Sequence, residues 1–91
     1  MQWTWDTRKD AANRIKHGLP LDVAALIVAD PLAITLPDPH ADGDRWRTVG
    51  RVAGRVLVAV HTWPEDEVDG VARSISVRKA TPGERREYEN G

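Results

Sequence analysis

Hydrophobic positions along the chain fall into two regimes. After a short alternating, aromatic start at Gln2-Trp3-Thr4-Trp5, which suits a strand, they recur at helical spacing to about residue 28. Asp6 stands where an N-cap belongs, and residues 7–17 read as a helix with Ala11, Ala12 and Ile15 on one side. Lys16 and His17 occupy its last turn, and Gly18 suits the left-handed stop. A second helix follows over residues 21–28, with Val23, Leu26 and Ile27 at helical spacing. Asp30-Pro31 ends it, because proline disfavours the α conformation of the residue before it.

The later half is β in character. Residues 32–36 read as a strand, and residues 37–44, His40 among them, carry turn chemistry throughout. Residues 45–51 and 55–63 flank Val52-Ala53-Gly54, the length of a three-residue hairpin loop. An acidic loop over 64–70 leads to a strand over 71–79. Thr81-Pro82-Gly83-Glu84 then spells a capping box that opens a helix to about residue 89. The order β-α-α-β-β-β-β-α predicts one α+β domain over 1–91, with two N-terminal helices, a C-terminal helix and a mainly antiparallel sheet covered on one face.

The hairpin also predicts a register. With a three-residue loop, Arg51 faces Arg55, Arg47 faces Ala59 and Arg45 faces His61, while Trp46, Val56, Val58 and Val60 turn to the helices. Ile75 and Val77 would join that core, and Ser74, Ser76 and Arg78 would join the arginines on the open face. A one-residue slip reverses such assignments. Guanidinium groups gathered on one face repel each other unless an anion lies among them, and their planar donors suit phosphate.

Composition sharpens this picture. Hydrophobic residues at 41% and charged residues at 30% describe a globular domain, and the absence of cysteine excludes disulfide scaffolds, thiol nucleophiles and thiolate metal sites. The formal net charge of −1 means that any attraction to nucleic acid must come from a local patch. No apolar run approaches a membrane span and the N-terminus lacks signal-peptide regions, so the expected address is the cytoplasm. His17, His40 and His61 show no metal-ligand spacing, and no metal is expected. His61 is the histidine read as a proton-transfer group. Glu84 is first a cap, with an acid–base role as a second reading, and Trp63 is open to base stacking.

The segments Trp5-Asp6, Lys9, Asn13, Lys16-His17-Gly18, Asp30-Pro31, Val49-Gly50-Arg51, His61-Thr62 and Ile75-Ser76-Val77-Arg78-Lys79-Ala80-Thr81 with Glu84-Arg85 resemble the BrnT family of toxins from BrnT/BrnA type II toxin–antitoxin pairs. Leu21 and Val28 stand where the family's second helix usually carries aromatics, and the chain has no Phe. The resemblance implies a RelE-like fold and metal-independent RNA cleavage that blocks translation. It also implies a BrnA-like antitoxin, through which the complex reaches operator DNA.

Joined to the arginine face, this gives an expected endoribonuclease. Arg51 and Arg78 would stabilise the charge on phosphorus, with Arg85 assisting and Glu84 or His61 moving the proton. Arg47, Arg55 and Lys79 would hold the flanking RNA backbone. The rival reading is a protein-binding module that uses the same basic face without catalysis; direct DNA binding is weaker, since no helix carries a basic recognition face.

Overall fold

In a computed structural model, which describes residues 1–39 and 43–91, eight elements run β1 (Gln2–Thr4), α1 (Thr7–His17), α2 (Val23–Ala29), β2 (Ile34–Pro37), β3 (Trp46–Val52), β4 (Arg55–His61), β5 (Val71–Lys79) and α3 (Pro82–Asn90). The predicted order holds throughout; His40 lies outside the described residues. The five strands form one sheet in the order β1-β5-β4-β3-β2, antiparallel except for the β1–β5 pair.

The local chemistry works as the sequence indicates. Asp6 accepts the backbone N–H groups of Arg8 and Lys9 at 2.8 and 3.1 Å, and Gly18 closes α1 at φ 70°. Thr81 and Glu84 bond reciprocally at the start of α3. Gly50 answers a different need. A Cβ there would come within 2.5 Å of the Ile27 carbonyl oxygen, so only glycine lets α2 lie this close to β3.

The hairpin departs from expectation. Its turn has two residues, Ala53 and Gly54, both at positive φ (52° and 80°), which is the sign pattern of a type I′ turn. Val52 therefore pairs with Arg55, Arg51 with Val56, Val49 with Val58, Arg47 with Val60 and Trp46 with His61. That one-residue shift keeps Arg47 and Arg51 together but sends Arg55 and His61 to the opposite face.

A second irregularity lies in β5. Ser76 pairs with Val60 but Ser74 pairs with His61, leaving Ile75 as an extra residue. Ser74 is therefore buried on the α1/α2 face with His61, not on the arginine face as predicted.

The sheet is covered on both sides, not one. Leu19, Leu21, Ala24 and Ile27 pack with Leu57, Ala59 and Val77 on the α1/α2 face. Leu21 is wholly buried in this layer. On the other face, Val49, Val56 and Val58 are sealed by Ala80 and Tyr88. Those valines required cover, and α3 supplies it. Ile15 and Leu26, which the helical spacing grouped with apolar neighbours, are 88% and 57% exposed.

Asn13 joins α1 to the sheet. Its side-chain amide donates to the Val77 carbonyl at 2.8 Å and accepts the Val77 N–H at 3.3 Å, taking the place of a strand neighbour where β1 has ended. It also donates to the Leu19 carbonyl at 2.7 Å, so this buried amide is well satisfied.

Candidate functional site

The predicted residues sort into three places. Arg51 and Arg55 on the hairpin, Lys79 at the end of β5 and Arg85 on α3 line one cavity of about 400 Å³, completed by Gly54, Val56 and Glu89. All four cations are exposed, and the guanidinium of Arg51 lies 5.7 Å from the centre of the Tyr88 ring. By register Arg55 and Lys79 belong to the α1/α2 face, yet at the end of the sheet they border the same space as Arg51 and Arg85. Four cations against one carboxylate make this a place for a multiply charged anion.

Tyr88 is fixed from behind. Its hydroxyl donates to Asp30 Oδ2 at 2.6 Å, and the same carboxylate accepts the Arg51 N–H at 2.7 Å. These bonds, the Tyr88 one foremost, hold the Asp30 carboxyl below the ordinary range, and the same contact pushes the Tyr88 phenol up. Asp30 thus ties the end of α2 to β3 and α3 beneath the cavity.

Arg47, Arg78 and Glu84 form the second group. Arg78 Nη1 and Nη2 reach Glu84 Oε1 and Oε2 at 2.6 and 2.9 Å, and Arg47 Nη1 reaches Oε2 at 2.7 Å. The Thr81 N–H adds a further bond to Oε1 at 2.9 Å. Led by the Arg78 contact, these donors hold the Glu84 carboxyl far below the usual carboxylate range, and Arg78 is pushed up in return. Glu84 is therefore a fixed anion with little tendency to take up a proton near neutrality. Its role is to hold two arginines.

His61 stands apart from both groups. It is fully buried on the α1/α2 face, edge-on to Trp3 and tilted against Trp63. Nδ1 lies 2.8 Å from the Thr62 carbonyl, Nε2 is 2.7 Å from Thr48 Oγ1, and that oxygen is 2.8 Å from Thr35 Oγ1. A carbonyl can only accept, so we assign the ring proton to Nδ1; Nε2 then accepts from Thr48, and Thr48 accepts from Thr35. Burial pushes the imidazole below its ordinary value. The expectation that His61 lies on the arginine face is overturned, and the hairpin shift is the reason.

Sequence reading missed Glu89, the carboxylate among the residues lining the cavity. The available signal was its spacing, four residues after Arg85 on one face of α3. Among the described residues no group of acidic or histidine side chains could hold a metal ion, and no helix is long and apolar enough to cross a membrane.

Among known families, the model of the ribonuclease toxin, BrnT, of type II toxin–antitoxin systems matches residues 5–84. No curated protein matches the chain.

Proposed function

The chain belongs to the BrnT family of ribonuclease toxins of type II toxin–antitoxin systems, and from that premise we propose that the cavity between the β3–β4 hairpin and α3 is its RNA-cleaving site. The observation that carries this reading is the meeting of Arg51, Arg55, Lys79 and Arg85 around one space.

In the proposed reaction a ribose 2′-oxygen attacks the adjacent phosphorus. The bond to the 5′-oxygen breaks and that oxygen takes up a proton from water, leaving a 2′,3′-cyclic phosphate and a free 5′-hydroxyl. Arg51 and Arg85 stabilise the charge that develops on the phosphoryl oxygens, which removes the need for a metal. Arg55 and Lys79 hold the neighbouring backbone. Glu89 accepts the proton of the attacking hydroxyl, a task for which Glu84 is too firmly paired and His61 is on the wrong face. Arg78 and Arg47, oriented by Glu84, add fixed positive charge beside the cavity. Translation is inhibited through loss of RNA, a BrnA-like antitoxin neutralises the toxin, and operator DNA is reached through that antitoxin.

The experiment is cleavage of RNA in the presence of chelator by the wild type and by Arg51→Ala, Arg85→Ala and Arg78→Ala, with the product ends identified. Cyclic phosphate ends are expected, with a loss of about 100-fold in kcat for Arg51→Ala or Arg85→Ala. Undiminished cleavage by both would overturn the assignment of the cavity. Loss of activity on adding chelator would overturn the metal-independent route. Growth that continues when the chain is expressed without an antitoxin would favour a binding module over a nuclease.

A further inference from the structure

A second depression, of about 210 Å³, lies where α1 meets β5 and is lined by Lys9, Asn13, Lys16, His17, Ile75 and Ser76. Lys9, Asn13 and Lys16 follow one another at i, i+4 and i+7, a single stripe of α1. The Asn13 amide, locked to Val77, brings that stripe against the strand. The lining residues include cations and a hydroxyl but no carboxylate.

Helix electrostatics accounts for part of this charge and not the rest. Lys16 and His17 complement the negative end of α1. Lys9 lies in the first turn, at the positive end, where a cation is disfavoured. Among the described residues, the side chains of Lys9, Lys16 and His17 take part in no ion pair or hydrogen bond. The three positions are thus left facing a depression whose chemistry suits an oxyanion.

We propose that this depression binds a backbone phosphate of the same RNA strand, outside the bond that is cut; the inference rests on the nuclease reading above. The placement along β5 supports it. Ser76 lines this depression and Lys79 lines the first cavity, three residues apart or roughly 10 Å at strand rise, with Arg78 between them. A small free anion fills one such site. A polynucleotide, charged at every repeat, fills both and passes Arg78 on the way.

The test uses a 2′-O-methyl RNA, which lacks the attacking hydroxyl, and measures Kd as a function of KCl for the wild type and for Lys9→Gln/Lys16→Gln. Both lysines are exposed, so the double variant should keep its Tm, which is checked. The expected result is weaker binding, with a salt dependence shallower by about 0.7 to 1.4 in the slope of log K against log [KCl], one contact's worth per lysine engaged. Wild-type binding with an unchanged slope in the variant overturns the second site and leaves the nuclease reading standing. Failure of the wild type to bind RNA overturns both. A variant that loses the antitoxin while keeping the wild-type slope for RNA reassigns the depression to protein docking and overturns the proposal.

Discussion

Arg78 grips Glu84 at two points, Nη1 to Oε1 at 2.6 Å and Nη2 to Oε2 at 2.9 Å, while Arg47 holds the second oxygen from the other side. The pair joins β5 to α3 and leaves the two arginines fixed rather than swinging in solvent.

Loosening that joint should cost stability. Glu84→Gln removes the charge while keeping a residue able to cap α3, and leaves two guanidinium groups without their anion. A loss of about 1–3 kcal/mol is expected in urea unfolding. A variant as stable as the wild type would show that the network contributes nothing to folding.

Acid should unfold the protein in two stages. The His61 pKa is lowered by burial from its ordinary 6.5, so below that pH the unfolded chain binds the proton first and stability falls. Glu84 and Asp30 are also lowered, from 4.5 and 3.8, and their stabilisation is complete above those values and lost as the pH drops through and below them. Urea midpoints from pH 8 to pH 3 should show both declines. In His61→Gln the upper one should vanish, with cleavage per folded molecule retained.

Glu89→Gln addresses the proton. Glu89 is exposed, so the fold should be unaffected. If it accepts the 2′-hydroxyl proton, kcat falls by about 100-fold or more, while KM changes little. An unaltered kcat would leave the proton to another group.

Ala53 holds a left-handed conformation, φ 52°, for which a Cβ is a handicap. Asn followed by Gly is the pairing that a type I′ turn favours. Ala53→Asn should therefore stabilise the hairpin by about 0.5–1 kcal/mol, read as a rise in the urea midpoint. Ala53→Val, β-branched at positive φ, should do the reverse.

Most of the fold was legible in the sequence because its punctuation is strong: Asp6, Gly18, Pro31 and the Thr81–Glu84 box each mark an end with its own chemistry. The faces were harder to read. Ala-Gly carries a weaker turn signal than Asn-Gly, so counting Val52 into the loop moved the register by one and placed Arg55 and His61 on the wrong side. Ile75 shows the same kind of failure, since a bulge has no residue type of its own. The cover that α3 gives to Val49 and Val58 depends on its angle to the sheet, which its short run of polar residues does not disclose. Arg47, Arg51 and Arg78 nevertheless share a face, because they keep a common parity whichever loop is chosen.

Asn13 has a consequence for how the protein keeps to itself. Because its amide already occupies the rim of β5 at Val77, a foreign polypeptide seeking to lengthen the sheet there must first evict a buried, fully engaged side chain. Intermolecular strand pairing is thereby steered to the outer rims of three-residue β1 and of β2, where Pro37 offers no N–H to a newcomer.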